Sequence, residues 1–349
     1  MILRLLALLF VLALAAAAGA FYWLNQPNLN TDPVVIDIRQ GDTLNQLATR
    51  WQDEGWLRSA LSLKIISRIS GLGHNIRPGE FVVPPQLSNH ALLVFLEEAR
   101  AKTYRVTLIE GQPLALALAE LAETRELVQD ITPLTAERVA GYLGLSGTTE
   151  GQLYPDTYVF HRNDTVSSLL TQAHERLQSV LEEEWQQRDK GLPYASAEEA
   201  LIMASIVEKE TGVASERPVI AGVFVRRLQK GMRLETDPTV IYGLGADYEG
   251  NLRRSHLRDD SNLYNTYRHK GLPPGPIALA GRAAIHAALH PADGTELYFV
   301  AKGDGSHYFS STLAEHSEAV KRYQLNRRSD YRSSPATQTR TDQQAEVTE

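Results

Sequence analysis

The chain has 349 residues, a length that accommodates two domains, and its hydrophobic (43%) and charged (22%) fractions are those of a folded soluble body. A formal net charge of -7 without a dense Lys/Arg block argues against nucleic-acid binding, which depends on clustered cations. Cysteine is absent, which excludes thiol catalysis, zinc–thiolate sites and disulfide bonds.

The N-terminus carries an uncharged apolar run, Leu5–Leu24. About twenty helical residues span the hydrocarbon core of a bilayer. A cleaved signal peptide is the alternative, because Ala18-Gly19-Ala20 has the small-x-small form of a cleavage site. We favour an uncleaved transmembrane anchor over residues 1–24, since the run is long for a signal peptide and ends in the aromatic segment Phe21–Trp23. Arg4 then places the N-terminus in the cytoplasm and the rest of the chain outside it, tethered to the inner membrane.

After a polar linker over residues 25–33, a small unit is predicted over residues 34–102. A strand VVIDI is followed by a helix with apolar positions Leu44, Leu47, Ala48 and Trp51. A second helix over Ala60–Ser70 and a strand near Gly79–Val83 complete a βααβ order. On the string IDIRQGDTLNQLATRW this unit resembles a LysM module, a small fold that binds N-acetylglucosamine polymers.

Residues Thr103–Leu121 repeat the order of strand, glycine and Leu-containing helix, with Pro113 expected in the first helical turn. Either a weak internal repeat or independent use of the same turn chemistry explains this similarity. Helical patterns dominate from Glu150 onward, and ELYFVAKGDGSHYFS predicts a β-hairpin around Gly303–Gly305. A last helix is predicted over Leu313–Leu325 behind Thr312.

The predicted fold class is therefore α+β, with an N-terminal transmembrane helix, the small LysM-like βααβ unit and a mixed, largely helical domain over residues 103–326. Residues 327–349 are rich in Ser, Thr, Gln and charge, and this composition predicts a disordered tail.

The segment SAEEALIMASIVEKET predicts a helix that begins at Ser196 with Glu199 completing a capping box. At 100° per residue, Glu210 continues an apolar stripe that contains Met203, Ile206 and Val207. The negative end of the helix dipole and burial beside this stripe should both raise the pKa of Glu210. A carboxyl group protonated near neutral pH suits general acid catalysis on a glycosidic oxygen. The alternative is a rim carboxylate paired with Lys209 or Arg217.

Other arrangements have less support. Glu208 diverges from Glu210 by 200°, so a second carboxylate of a glycosidase pair would have to come from Asp156 or Asp237. The spacing of His286 and His290 fits a zinc pair, but no third ligand is evident from the sequence. We therefore expect neither a metal nor a cofactor. Motifs for a serine acyl enzyme or a phosphate loop are also lacking.

Several strings together resemble the signature blocks of the endolytic murein transglycosylase family (MltG, YceG-like). They are EGQLYPDTYVF, ASIVEKET, ASERPVIAGVFVRRLQKGMRLETDPTVIYGLG, YNTYRHKGLPPGPIALAG and AALHPADGTELYFVAKGDGSHYFS. The resemblance covers nearly all of residues 37–325 in the family's order.

The resemblance implies a bitopic membrane enzyme that cuts within nascent peptidoglycan strands, between N-acetylmuramic acid (MurNAc) and N-acetylglucosamine (GlcNAc). Such a lytic transglycosylase leaves 1,6-anhydro-MurNAc ends without using water. It further implies termination of strand elongation and association with peptidoglycan synthases. The family's catalytic glutamate falls on Glu210.

For substrate contacts we expect aromatic faces and fixed polar groups along a groove. The candidates are Asp156, Asp237, Thr239, Tyr264, Asn265, Thr266 and Tyr267. Turn structure is the alternative for several of them, since Asp237-Pro238 can be an N-cap and first-turn pair. Two other functions stay open: a non-catalytic peptidoglycan-binding scaffold for synthases, and a hydrolytic muramidase.

Overall fold

A computed structural model describes residues 2–325 of the chain and has mixed helix and sheet. Within these residues the α-helices are α1 (Ile2–Leu24), α2 (Leu44–Asp53), α3 (Ala60–Ser70), α4 (Asn89–Glu98), α5 (Leu114–Glu123), α6 (Ala136–Leu143), α7 (Val166–Gln187), α8 (Ala197–Glu210), α9 (Arg217–Gln229), α10 (Asp237–Leu244), α11 (Arg254–Arg258), α12 (Arg282–Leu289) and α13 (Leu313–Val320). The strands are β1 (Val34–Ile38), β2 (Gly79–Val83), β3 (Thr103–Thr107), β4 (Thr157–His161), β5 (Tyr298–Ala301) and β6 (His307–Ser310).

The apolar N-terminal run forms the continuous helix α1, as predicted. Its segment Arg4–Leu24 is 21 residues long and apolar enough to cross a membrane. At 1.5 Å per residue such a segment extends about 31 Å, close to the thickness of a bilayer's hydrocarbon core.

The chain divides into two compact units. Among the described residues, the first contains residues 2–105, 125–128 and 159–165. The second contains residues 106–124, 129–158 and 166–325. The predicted tail, residues 327–349, lies outside the described residues.

The first unit contains the predicted order of strand, two helices and strand. β1 and β2 pair antiparallel, with Ile36 opposite Phe81. The predicted apolar positions Leu47, Ala48 and Trp51 of α2 are buried. The sequence analysis did not identify α4, whose Leu92, Leu93 and Leu96 complete this core.

Helix α2 begins behind Thr43, which caps it. The Thr43 hydroxyl accepts a hydrogen bond from the Gln46 amide, and the Gln46 side chain accepts one from the Thr43 amide at 2.9 Å. These reciprocal bonds satisfy two amides that the first helical turn leaves without partners.

In the second unit, α8 lies at the centre of the core. Its residues pack with those of α7, α9, α10 and α12, and Ala200, Leu201 and Ala204 are among its fully buried side chains. The predicted hairpin is formed by β5 and β6, which pair antiparallel with Phe299 opposite Phe309.

Two local predictions need adjustment. Pro113 has extended backbone and precedes the first turn of α5, so it is the N-cap residue rather than a first-turn residue. The predicted last helix is α13, capped by Thr312 as expected, but it is followed by a π-helical turn over Lys321–Leu325.

Candidate active site

Helix α8 carries Glu210 as its last residue. The Ser196 hydroxyl accepts the Glu199 amide at 3.4 Å, as the capping motif predicted. The second half of the predicted capping box is wrong: the Glu199 carboxylate accepts the amide of Ala195 at 2.6 Å, one residue before the cap. Both contacts still satisfy amides at the start of the helix.

The predicted apolar stripe is present beneath Glu210. Met203, Ile206 and Val207 are fully buried, and Glu210 is half-buried. Thr211 has extended backbone and ends the helix immediately after the carboxylate. Helical periodicity therefore places Glu210 where the core meets a cavity.

The neighbouring Glu208 belongs to a separate set of contacts. Its carboxylate pairs with Arg217 at 3.3 Å and accepts the Gly281 amide at 3.0 Å. Lys209 donates to the Gly111 carbonyl at 3.0 Å. The alternative in which Glu210 is a rim carboxylate paired with Lys209 or Arg217 is therefore wrong, because both cations have other partners.

Glu210 lines a cavity of about 440 Å³ in the second unit. Helix ends, the loop before α10 and the β5–β6 hairpin all contribute to its wall. The charged and polar groups in this wall include Glu210, Arg227, Glu235, Asp237, Tyr267 and His307. Such a mixture of carboxylates, a guanidinium and aromatic faces suits a polar ring ligand such as a sugar.

Thr236 is the direct hydrogen-bond partner of Glu210. Its hydroxyl donates to Glu210 Oε1. Thr236 is also the N-cap residue of α10, a role that was considered for Asp237 as the alternative to a substrate contact. The Thr236 side chain makes no capping bond. The hydroxyl that would ordinarily cap this helix is thus engaged with the carboxylate instead.

A buried threonine pair holds Thr236 in place. The Thr266 hydroxyl accepts the Thr236 amide at 3.0 Å and lies 2.9 Å from the Thr239 hydroxyl. The Thr239 hydroxyl also donates to the Thr236 carbonyl at 2.9 Å. Thr239 and Thr266 are buried, so they support the loop from behind and do not line the groove, contrary to the prediction.

Arg227 fixes the preceding part of this loop. Its Nη1 atom donates to the carbonyls of Arg233 and Leu234 at 3.1 and 2.8 Å and contacts the Glu235 carboxylate at 3.2 Å. Glu235 has φ +54°, a conformation that residues other than glycine rarely adopt. Backbone strain of this kind clusters at functional sites, where surrounding contacts maintain it.

The environment raises the pKa of Glu210 to about 7. Burial of the charged form is the largest cause, and the nearby Asp237 carboxylate adds to it. The Thr236 hydroxyl and the Arg227 guanidinium act in the opposite direction because they stabilise the carboxylate. A group with this pKa exchanges a proton readily near neutral pH.

Asp237 and Tyr267 were predicted as substrate contacts, and both line this cavity. The Tyr267 hydroxyl donates to Asp237 Oδ1 at 2.7 Å. Burial, followed by the Asp237 charge, raises the pKa of Tyr267, so its hydroxyl remains a donor. The cavity therefore contains two further carboxylates, Glu235 and Asp237, besides Glu210.

The remaining predicted contacts lie elsewhere. Asp156 is exposed, accepts the amide of Thr157 and is not part of the cavity wall. Tyr264 packs on Tyr242 with ring centroids 4.8 Å apart. Asn265 is fully buried, and its amide nitrogen donates to the carbonyls of residues 256 and 259. Local backbone contacts account for Asp156 and Asn265, and ring packing accounts for Tyr264, without a ligand.

The His286 and His290 pair has a third candidate ligand that the sequence did not reveal. One ligand atom each from these two residues and Glu184 lie within 4.8 Å of one another. Glu184 also accepts the Arg282 guanidinium at 2.9 Å and His286 Nδ1 contacts it at 2.8 Å. Ion pairing accounts for this cluster, because Arg282 already balances the carboxylate charge.

The cavity residues that were not predicted from the sequence include Arg227, Glu235, Thr236 and His307. The first three sit inside family-like strings without a local chemical signature. His307 had a usable signal, because strand alternation places it on the same face of β6 as Phe309, which packs against the core. A histidine on an inward strand face is a candidate for a functional role.

Comparison with known proteins agrees with the predicted resemblance. The model of the YceG-like family matches residues 36–322. An endolytic murein transglycosylase of Bacillus subtilis (strain 168) is 30% identical over 313 residues, covering 83% of this chain and 84% of that protein. An endolytic murein transglycosylase of Streptococcus pneumoniae (serotype 2, strain D39) is 30% identical over 176 residues, covering 49% and 31%.

A solved structure is also similar. The crystal structure of a yceG-like protein from Listeria monocytogenes aligns with a TM-score of 0.51 and 27% identity, covering 83% of this chain and 99% of that one. The family model spans most of the chain and includes Glu210 and every other cavity residue except Gln324. This chain therefore belongs to the YceG-like family.

Proposed function

We propose that this protein is a lytic transglycosylase that cleaves the MurNAc–GlcNAc bond within nascent peptidoglycan strands and leaves 1,6-anhydro-MurNAc ends. Its relatives of known name are endolytic murein transglycosylases. The observation that carries the proposal is the placement of Glu210, half-buried in the cavity wall with its pKa raised to about 7.

The reaction needs one group that first gives and then takes a proton. Protonated Glu210 donates its proton to the glycosidic O4 as the bond to muramic C1 breaks. The resulting carboxylate then takes the proton of the muramic 6-hydroxyl as that oxygen bonds to C1. Glu210 ends the cycle protonated, so no water enters the products. A pKa near neutrality suits both transfers.

Neighbouring residues supply the supporting roles. Thr236 holds one oxygen of Glu210 and stabilises its ionised form after the first transfer. Tyr267 and Asp237, which are hydrogen-bonded to each other, are the proposed sugar contacts in the cavity wall. The chemistry as proposed uses neither a metal nor a cofactor.

A hydrolytic muramidase is the second candidate. Hydrolysis with inversion needs a second carboxylate to activate water, and the cavity contains Asp237 and Glu235. Of the two carboxylates that the sequence offered as a second member of a pair, Asp237 lines this cavity and Asp156 does not. Membership of the YceG-like family, with relatives named as transglycosylases, favours the water-free reaction.

The mass of the products separates these candidates. Full-length protein in detergent would be given polymerised, uncrosslinked strands, and the new ends analysed by mass spectrometry. Anhydro ends, one water lighter than reducing ends, support the proposal. Reducing ends from the same enzyme would establish hydrolysis instead. Strand binding without new ends would favour the non-catalytic scaffold.

The first unit has a proposed role in strand binding. Its β1-α2-α3-β2 order supports a LysM-like assignment for residues 34–102. A cavity of about 440 Å³ lies between the start of α2 and the segment after α3, with Asp42, Asn45, Arg68 and His74 in its wall. These polar groups suit the hydroxyl and acetamido groups of a glycan.

The proposed location follows from α1 and its flanks. We infer a single-pass inner-membrane protein with a cytoplasmic N-terminus, residues 25–33 as a linker and the catalytic domain, residues 103–326, outside the cytoplasm. The apolar helix and the cation Arg4 at its start support this orientation. Cleavage of nascent strands near the membrane would end their elongation beside peptidoglycan synthases, which are the proposed protein partners.

A further inference from the structure

His307 is a buried histidine in the wall of the cavity that contains Glu210, and the mechanism above does not use it. It is the first residue of β6, and its side chain is 8% exposed. The ring contacts Phe299 edge-on, with centroids 5.4 Å apart. Burial of an imidazole in an aromatic wall needs polar compensation, which a single neighbouring carboxylate provides.

That carboxylate is Glu216, which lies in the short turn before α9. Its Oε2 atom is 2.8 Å from His307 Nδ1, and its Oε1 atom accepts the His307 amide at 2.8 Å. The Thr211 hydroxyl donates to Oε2 at 3.2 Å. Thr211 directly follows Glu210, so the Glu216 carboxylate connects His307 to the end of the catalytic helix.

The Glu216 contact fixes the orientation of the ring. An ionised carboxylate only accepts hydrogen bonds, so Nδ1 of His307 donates to it. The second ring nitrogen, Nε2, points away from this contact. Among residues 2–325, no backbone or side-chain group forms a hydrogen bond to it. Some polar atoms in the described part of the chain are buried without a hydrogen-bond partner, and Nε2 of His307 is not one of them. Because His307 lines the cavity, Nε2 is the ring nitrogen left for a ligand that enters it.

We propose that His307 is a substrate contact whose Nε2 atom forms a hydrogen bond with a hydroxyl group of the glycan in the Glu210 cavity, with Glu216 as the residue that positions it. This inference rests on the proposed function for the identity of the ligand. The role is that of a fixed hydrogen-bonding group, as in metal and catalytic sites where a carboxylate orients an imidazole. No proton is transferred in this contact.

Two substitutions separate the two ring nitrogens. The amide of Asn in His307→Asn can replace Nδ1 as the donor to Glu216, but it leaves nothing at the position of Nε2. The longer amide of Gln in His307→Gln reaches toward the position of Nε2 instead. The matched control is His290→Asn, because His290 Nδ1 also contacts a carboxylate, that of Asp189 at 3.1 Å, and His290 is not in the cavity wall.

Strand binding is measured in the full-length Glu210→Gln background, so that cleavage does not interfere. We expect His307→Asn to weaken affinity for uncrosslinked strands about tenfold, the effect of one hydrogen bond. His307→Gln should retain most of the affinity, and His290→Asn should leave it unchanged. Equal affinity for the parent and His307→Asn, with equal thermal stability, would overturn the proposal.

A second measurement keeps His307 unchanged and follows its ring nitrogens by NMR. In 15N-histidine-labelled Glu210→Gln protein, the Nε2 resonance of His307 should shift when strands are added, while that of His290 stays in place. The absence of a shift at saturating strands would also overturn the contact. If wild type forms anhydro products and His307→Asn binds strands as well as its parent does, only this inference is refuted. If wild type forms reducing ends and His307→Asn binds strands more weakly, only the proposed reaction is refuted.

Discussion

The hydroxyl of Thr236 donates a hydrogen bond to Oε1 of Glu210 and makes no capping bond to its own helix. A threonine at an N-cap ordinarily accepts an amide of the first turn. Here α10 forgoes that side-chain cap, and the hydroxyl stabilises the ionised form of a carboxyl group whose pKa burial raises to about 7. The two effects oppose each other, and the effect of burial is the larger one.

Removal of this hydroxyl should raise the pKa of Glu210 further. The rate of strand cleavage by wild type should fall above about pH 7, where the acid form is lost. In Thr236→Val the alkaline limb should move to higher pH by about one unit, since a hydrogen bond to a charged group is lost. The pH–rate profile measures this, with Thr236→Ser as the control that keeps the hydroxyl. A limb that stays in place would contradict the coupling.

Loss of the neighbouring charge should act in the opposite direction. Asp237 raises the pKa of Glu210, so Asp237→Asn should move the alkaline limb to lower pH by about half a unit, as expected for one nearby charge in a partly hydrated site. The amide oxygen can still accept the Tyr267 hydroxyl. Tyr267→Phe is the control that removes this bond and keeps the charge. If Asp237→Asn abolishes cleavage at every pH, Asp237 has a direct chemical role and hydrolysis gains support.

Part of this site could be predicted from the sequence because its cause is local. Helical periodicity separates Glu210 from Glu208 and places it at the end of a buried stripe, and both properties are present. The desolvation that raises its pKa follows from the same stripe. The start and end of α2 and the hairpin depend on short-range capping and turn chemistry, which the sequence also displays.

The contacts of the site between residues far apart in sequence could not be predicted in this way. Thr236 lies 26 residues along the chain and Glu216 is 91 residues from His307, so no local pattern joins them. Polar turn residues were ambiguous for a different reason. Thr266 and Asn265 satisfy backbone groups in a buried loop, and the same side chains could equally have contacted a ligand. Burial alone separates these roles.

The raised pKa of Glu210 also predicts a dependence of stability on pH. Between pH 4.5 and about 7 the folded protein retains a proton that the unfolded chain releases, so stability falls as pH rises through this range. The rise in pKa corresponds to about 3 kcal/mol. The amide of Glu210→Gln does not ionise, so this variant lacks the effect. The unfolding free energy of Glu210→Gln minus that of wild type should therefore be larger at pH 8 than at pH 4.5 by about that amount. Denaturant unfolding measures it.

The control for stability is Glu198→Gln, an exposed carboxyl group in the first turn of the same helix. This variant removes one carboxyl group from the same helix at a position that does not line the cavity. A constant difference between Glu210→Gln and wild type from pH 4.5 to 8 would show that Glu210 has an ordinary pKa in the folded protein.

Metal removal tests whether the Glu184, His286 and His290 cluster takes part in the reaction. We expect EDTA to leave the cleavage rate unchanged. The three residues of the cluster are not in the wall of the cavity that contains Glu210, and the proposed steps need only proton transfer. The rate of cleavage before and after dialysis against EDTA is the measurement. A loss of activity restored by zinc would assign the cluster a catalytic role.

The central claim is that Glu210 performs the proton transfers of a lytic cleavage. Full-length wild type, Glu210→Gln and Glu198→Gln would be incubated with the same polymerised strands, and anhydro-MurNAc ends counted by mass spectrometry. We predict anhydro ends from wild type and Glu198→Gln. For Glu210→Gln we predict that the rate at which these ends form falls about a hundredfold or more, with strand binding retained. Anhydro ends formed by Glu210→Gln at the wild-type rate would contradict the claim.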